Sequence, residues 1–401
     1  MKLSFMRDID DNLGVVICKF LWLIVKIKGL FIPSRRDADP RAVKMILCQK
    51  YFGMGTILHA IPLIKGLRNH YPNAKIIFMT LKEQESVVRV CNLADEVLTI
   101  RLNNIFIFIK DVITNLSYLV RMNIDISIDL EFFSKFSMII SLLSMADIRV
   151  GLHQKRIRPG GIMTHNVYYN HYKHIKDIYF AFNTVLGISY DKKYFESTLS
   201  SFKKLYENKL RERFGLNGAT PIIAINVNAS DLFKFRCWPA ENFIEMIQLL
   251  LRHYPQNYYI LIGGKHDYEY VQGVYDKIEN KDGHLINCAG QTNIEELFAL
   301  IEMSMLVISN DSGPMHIASL YNVNLAAFFG PETPVVFGPI NKNSVVFYSK
   351  DLYCSPCLCV YDSKKSLYGE ECYENSCLTN IKPKEVFEKV EESFLKPIRK
   401  T

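Results

Sequence analysis

A chain of 401 residues, 49% hydrophobic and 22% charged, is long enough for two domains that each bury their own core. Its net charge of +7 is modest for that length, and it carries no zinc finger, basic-aromatic ribonucleoprotein motif or arginine-rich arm, which disfavours nucleic acid as a partner. The balance suits anionic small molecules or an anionic membrane surface.

Residues 13–33, LGVVICKFLWLIVKIKGLFIP, have the length of a spanning helix, but Lys19, Lys26 and Lys28 interrupt them. Those lysines, with Phe20 and Trp22 among aliphatics, fit a helix lying in a membrane interface. A helix packed in the first domain or against a partner fits as well. No small-residue cleavage site follows, so a cleavable signal peptide is not expected, and the expected compartment is reducing. A polar, charge-alternating break at 34–41 ends the segment.

Strands are predicted next at 44–49, 75–80, 96–100, 125–129 and 149–152, with a helix at 56–71 and a long amphipathic segment at 102–122. Residues 177–186 read as a helix, and 201–214 as a charged helix within a hinge region at 191–217. A second block has strands at 221–227, 258–263, 305–309 and 324–329, and helices at 239–253, 294–303 and 315–321. One more amphipathic helix spans 381–395. Strands alternating with helices imply parallel βαβ units. The expected architecture is α/β, with doubly wound domains at 44–190 and 218–380 facing across a cleft, an N-terminal segment 1–43 and a C-terminal helix in 381–401.

The stretch 309–331, SNDSGPMHIASLYNVNLAAFFGP, carries the strongest signal. Asp311, Ser312, Gly313 and Pro314 form a polar turn running straight into a helix. Proline suits a first helical turn because it has no N–H to lose there. The remaining free amides and the helix dipole make an anion site, as when an α/β domain presents a phosphate or pyrophosphate at the carboxyl edge of its sheet. Gly53 and Gly55 occupy a similar turn in the first block. Lys234 and Arg236 precede a Trp-Pro helix start, where the dipole repels cations; a guanidinium there suits bidentate contact with pyrophosphate. Asn228 and Ser230 belong to the same loop, and Thr292 or Asn293 caps the helix at 294. His59 and His316 are each expected one turn into a helix, and the His- and aromatic-rich stretch 165–174 is a candidate for acceptor binding. Among ten cysteines, Cys354, Cys357, Cys359, Cys372 and Cys377 cluster. Cys354, Cys357, Cys372 and Cys377 are candidates for a structural metal, zinc or iron–sulfur, or for a purely structural closure of the second domain.

Two patterns together carry a resemblance. Gly55, His59, Pro62, Leu67, Arg68 and Pro72 form the first, and Asp311, Ser312, Gly313, His316, Gly330, Pro331 and Thr333 the second. Over residues 44–390 the chain resembles glycosyltransferase family 9, the ADP-heptose:lipopolysaccharide heptosyltransferase superfamily. The resemblance implies a GT-B fold of two Rossmann-like domains, with donor nucleotide on the second and acceptor on the first. It implies inverting transfer without catalytic metal or other cofactor, from a nucleotide-sugar donor (ADP-heptose or another nucleoside-diphosphate sugar) to a lipopolysaccharide-core or related glycolipid. It also implies a cytoplasmic protein peripheral to the inner membrane. Carried over by position, Asn228, Ser230, Lys234, Arg236, Thr292, Asp311, Ser312, Gly313 and His316 are donor-side, and Gly53, Gly55 and His59 acceptor-side.

One departure bears on catalysis. The family pattern has an aspartate after the glycine at Gly55, as the base for the acceptor hydroxyl; this chain has Thr56, whose hydroxyl is too weak a base near neutral pH. Another carboxylate acts instead, or donor activation suffices, or activity is lost. Asp129 and Glu131, at the end of the strand 125–129, are the candidate replacements, with Glu131 preferred as base. The alternatives to transfer are a catalytically impaired binding or scaffold protein and a nucleotide-sugar epimerase or hydrolase.

Overall fold

The computed structural model describes residues 3–31, 42–132, 134–153, 162–196, 199–218, 220–229, 235–279, 281, 283–357, 372 and 375–396. The chain divides into two compact units, Met1–Glu196 and Ser197–Thr401.

In the first unit, helix α1 (Leu3–Phe31) precedes β1 (Met45–Gln49), α2 (Met54–Leu58), α3 (Ile61–His70), β2 (Lys75–Leu81) and α4 (Glu85–Val90). Then come β3 (Glu96–Ile100), α5 (Ile105–Met122), β4 (Ile126–Asp129), α6 (Lys135–Leu143), β5 (Ile148–His153), β6 (His165–Tyr168) and α7 (Ile175–Thr184). The six strands form one parallel sheet in the order β3-β2-β1-β4-β5-β6. The central strands are apolar runs buried on both faces, as expected where helices cover a parallel sheet on each side. The single helix expected at 56–71 is two, broken at His59–Ala60. Pro62 lies in the first turn of α3, and its ring cannot tolerate a continuous helix through the carbonyl four residues back. Residues 165–168, at the start of the His- and aromatic-rich stretch, form the edge strand β6.

Two glycines set close approaches in this unit. A Cβ on Gly66 in α3 would stand 2.1 Å from Nδ2 of buried Asn183 in α7, which donates to the Leu63 carbonyl at 3.0 Å. A Cβ on Gly14 in α1 would stand 2.9 Å from the Cβ of Lys135 in α6. There α1 lies on α6: Asp10 accepts from the amides of Lys135 and Phe136 at 3.0 and 2.6 Å, Asp11 accepts from Lys135 Nζ at 2.6 Å, and Cys18 and Trp22 pack with Met138 and Leu142. No helix among the described residues is long and apolar enough to cross a membrane.

The second unit contains α8 (Lys203–Phe214), β7 (Ile222–Asn226), α9 (Ala240–His253), β8 (Tyr258–Leu261), α10 (Tyr268–Asp276), β9 (Leu285–Asn287) and α11 (Ile294–Met303). It continues with β10 (Leu306–Asn310), α12 (Gly313–Leu320), β11 (Asn324–Phe329), α13 (Pro334–Phe337), β12 (Ser344–Tyr348), α14 (Ser376–Thr379) and α15 (Pro383–Val390). Its parallel sheet has the order β12-β11-β10-β7-β8-β9. Read from the first strand of each unit, both sheets have one topology: three strands run outward to one side, then three to the other. This is the doubly wound Rossmann arrangement, and it puts a switch point between β1 and β4 in one unit and between β7 and β10 in the other. The second core is pinned by Trp238, stacked on Phe328 at 4.4 Å between ring centroids, with its indole N–H donating to the Ile381 carbonyl at 3.0 Å.

Gly66→Ala is expected to lower unfolding stability by about 2 kcal/mol, since the added methyl meets an immobile, hydrogen-bonded amide. Denaturant titration followed by far-UV circular dichroism measures it; an unchanged midpoint would contradict the close approach.

Candidate functional site

Each switch point carries a polar constellation at the carboxyl ends of its central strands. In the first unit, β1 ends in Gln49 and runs into Lys50, which is 1% exposed. Lys50 Nζ donates to Glu131 Oε2 at 2.9 Å and lies 4.8 Å from the ring centre of Phe132. The other carboxylate oxygen, Oε1, accepts from the amides of Tyr51 at 2.5 Å and Phe52 at 3.0 Å. Asp129, fully buried at the end of β4, accepts from the Glu131 amide at 3.0 Å and from Ser137 Oγ at 2.9 Å. Burial, reinforced by these carboxylates, pushes the phenols of Tyr51 and Tyr179 well above their usual pKa.

This geometry bears directly on Glu131. A buried carboxylate with one oxygen on an ammonium and the other on two backbone amides anchors the loop after β1. Asp129 is likewise committed inside the fold. Thr56, in α2, donates its hydroxyl to the Gly53 carbonyl at 2.8 Å, with the Phe52 carbonyl at 3.1 Å. Gly53 has φ +87°, and a Cβ there would come within 2.8 Å of Thr56 Oγ1, so the turn requires glycine. Gly55 is buried in α2. His59 sits at the end of that short helix rather than one turn inside it, 3% exposed, its ring edge-on to His174 at 4.9 Å.

In the second unit the strand ends are asparagines. Asn226 Nδ2 donates to Ser312 Oγ at 2.8 Å and to the Asn228 carbonyl at 2.9 Å. Asn310 Oδ1 accepts from the Trp238 amide at 2.8 Å, and its Nδ2 donates to the Asn226 and Asn228 carbonyls at 3.4 and 3.3 Å. These amides tie the loop after β7 to the loop after β10. Ser312 is the N-cap of α12, but its side chain does not cap the helix: Oγ donates to the Asn310 carbonyl at 3.1 Å and accepts from Asn226. The first-turn amides of α12 therefore have no side-chain cap, the state that favours an anion. The side-chain oxygen of Asn228 is buried without a hydrogen-bond partner among the described residues.

Arg236, half-buried, stands between two acids. Nη2 is 3.2 Å from Glu332 Oε2, and Nη1 is 3.5 Å from Asp311 Oδ2. His316, buried in α12, lies 3.9 Å from Asp311 Oδ1. Burial pushes the Asp311 carboxyl up and the Glu332 carboxyl up to about 7, with Arg236 pulling each back down. The structure thus brings Asn228, Arg236, Asp311, Ser312, Gly313 and His316 to one strand edge. Ser230 and Lys234 lie outside the described residues. Thr292 is half-buried beside a capping box made by Asn293 and Glu296, whose side chains each accept the other's amide. Arg213 holds the Glu296 carboxyl at about 2.

Sequence reading missed Lys50, Asn226, Asn310 and Glu332. The available signal was positional: each is a polar residue just where a buried apolar strand ends or soon after.

Cys377 is buried, with its sulfur 2.9 Å from where a Gly330 Cβ would be, and the Cys357 amide donates to the Pro331 carbonyl at 3.0 Å. Burial and then the neighbouring thiols push Cys357 up and Cys377 up to about 12. Among the described residues no group of three or more histidines, cysteines and acids is arranged to hold a metal ion, and 358–371, 373 and 374 of this segment lie outside those residues. Cys359 lies outside the described residues. Helix α14, which carries Cys377, packs against β11.

Glu332 makes stability pH-dependent. The folded carboxyl keeps its proton to about pH 7, whereas the unfolded chain releases it near 4.5. Rising pH across that window therefore favours the unfolded state, by on the order of 3 kcal/mol. Thermal melts of wild type and Glu332→Gln across this range should show the wild type losing stability relative to the variant as pH rises. Parallel curves would contradict the assignment.

Residues 117–367 match the family model described as glycosyltransferase family 9 (heptosyltransferase). A lipooligosaccharide heptosyltransferase 2 of Campylobacter jejuni is 26% identical over 246 residues, covering 61% of this chain and 71% of that protein. The crystal structure of a family 9 glycosyltransferase from Veillonella parvula aligns with a TM-score of 0.70 at 22% identity, over 90% of this chain and 100% of that one. The ADP-heptose lipopolysaccharide heptosyltransferase II of Escherichia coli aligns with a TM-score of 0.66 at 19% identity, over 88% and 99%. These two likenesses bear on the fold, which is GT-B. With its paired Rossmann-like units and a family match across more than half its length, the chain belongs to glycosyltransferase family 9, the heptosyltransferases.

Proposed function

We propose that this glycosyltransferase moves a heptose or similar sugar from a nucleoside-diphosphate donor, ADP-heptose being the first candidate, to a lipopolysaccharide-core or related glycolipid. The observation that carries the reading is Arg236 beside the uncapped first turn of α12, a guanidinium and a set of free amides at one switch point. Asn228, Asp311, Ser312, Gly313, His316 and the nearby Thr292 complete the donor side, with Ser230 and Lys234 assigned by position in the family pattern. The relatives named as heptosyltransferases supply the donor and acceptor classes.

Transfer is inverting: the acceptor oxygen attacks the anomeric carbon from the face opposite the diphosphate, forming one C–O bond as the other breaks. Arg236 and the α12 amides take up the negative charge on the leaving diphosphate, the role a metal fills elsewhere. Because Glu131 and Asp129 are engaged and Thr56 is a weak base, departure of the diphosphate leads. The acceptor hydroxyl becomes acidic as its new bond forms and releases its proton to solvent. Gly53, Gly55 and His59 shape the acceptor-side turn, which Lys50 and Glu131 hold in place. The reaction belongs at the cytoplasmic face of the inner membrane, where the chain is peripheral.

A second reading, a donor-binding protein without transfer activity, is favoured by that same shortage of an available carboxylate beside Thr56. Turnover of a panel of nucleotide sugars with a lipopolysaccharide-core acceptor separates the two. The expected result is ADP release coupled to acceptor extension, unchanged by EDTA. Arg236→Ala is expected to raise the donor KM about tenfold or more. Thr56→Asp is expected to raise kcat by on the order of tenfold and to add an acid limb to its pH profile. A folded protein that binds donor but extends no acceptor would establish the second reading.

A further inference from the structure

The outward face of α1 is apolar and unpartnered among the described residues. Leu13, Val16, Phe20, Leu23, Ile24 and Ile27 are 46–64% exposed and recur at the spacing of one helical stripe, while Gly14 and Cys18 on the other side are buried against α6. A second stripe, with Phe106 at 81% and Ile113 at 59%, runs along α5, which also touches α6. An exposed apolar stripe of this length on a helix marks a docking face.

Charge decides what it docks to. Residues 12–27 carry Lys19 and Lys26, both exposed, and no acid. On α5, Lys110 and Arg121 are exposed, while Asp111 is neutralised by Arg101 at 2.7 Å. Lys26 Nζ lies 5.1 Å over the Trp22 ring, an ammonium–indole pairing that suits the headgroup boundary, where an aromatic body and a cationic tip both find solvent. Two copies of this chain meeting through α1 would set lysine against lysine, a repulsion that works against self-association. A bilayer with anionic headgroups satisfies the stripe and the lysines together. Since the opposite face of α1 is fastened to α6 through Asp10, Asp11 and Cys18, the helix cannot dive across the bilayer.

We propose that α1 is a membrane-docking helix, laying the first unit on an anionic lipid surface through Val16, Phe20, Leu23, Ile24 and Ile27 with Lys19 and Lys26 at the headgroups. The proposal names the surface used by the peripheral enzyme above and rests on that reading only for its biological setting. Flotation of the full chain with phosphatidylcholine vesicles, with and without phosphatidylglycerol, tests it directly. Wild type is expected to float with phosphatidylglycerol vesicles and about tenfold less well without it, and salt should weaken binding. Phe20→Glu/Ile24→Glu, at exposed positions, is expected to abolish flotation without changing the melting temperature; Lys19→Ala/Lys26→Ala should remove the preference for phosphatidylglycerol. Failure of wild type to float, or undiminished flotation of the Glu pair, would overturn the proposal. So would a wild-type dimer that the Glu pair converts to monomer without any vesicle binding. The two readings fail separately: turnover of a water-soluble acceptor fragment does not need the lipid face, and flotation does not need a donor.

Discussion

A parallel sheet buried on both faces confines most of its charged and strongly polar groups to the ends of its strands, and the carboxyl ends, where the helices begin, are the ends that face ligands. Both units of this protein obey that constraint, and their chemistry follows from it. Gln49, Lys50 and Asp129 crowd the ends of β1 and β4, and Asn226 and Asn310 those of β7 and β10. Desolvation makes each such group demand a partner, and the partners come from the loops that follow. The loops that hold the site are therefore shaped by the same burial that builds the cores.

The two units settle their charges differently. In the first, the buried ammonium of Lys50 and the carboxylate of Glu131 cancel, and two backbone amides and the Phe132 ring offset part of the desolvation cost. The pair clamps the loop after β1. In the second, one guanidinium faces two carboxylates, and the first turn of a helix is left without a side-chain cap. On the proposed reading, a diphosphate would take the amides and compete with Glu332 and Asp311 for Arg236.

Much of this was legible in the sequence. The apolar strands, the Ser-Gly-Pro entry to α12 and the Trp-Pro entry to α9 are local signals, and local signals read well. The helix break at His59–Ala60 was written in Pro62 but outweighed by the apolar periodicity around it. The role of Glu131 was not legible, because a carboxylate at a strand end looks the same whether it faces substrate or clamps a lysine 81 residues away. Glu332 hid inside a turn motif for a related reason: its neighbours Arg236 and Asp311 come from distant loops.

One missing side chain governs how the first helix is presented. At Gly14 the backbone of α1 comes down onto Lys135 with no room for a methyl group. That contact works as a key: it fixes the rotation of α1 about its own axis and, through 3.6-residue geometry, dictates that Phe20 and Ile24 look away from the protein. A bulkier residue would roll the helix or lift it off α6, turning Trp22 and Cys18 toward solvent. The smallest residue in the chain thereby decides which chemistry its longest helix shows to the outside.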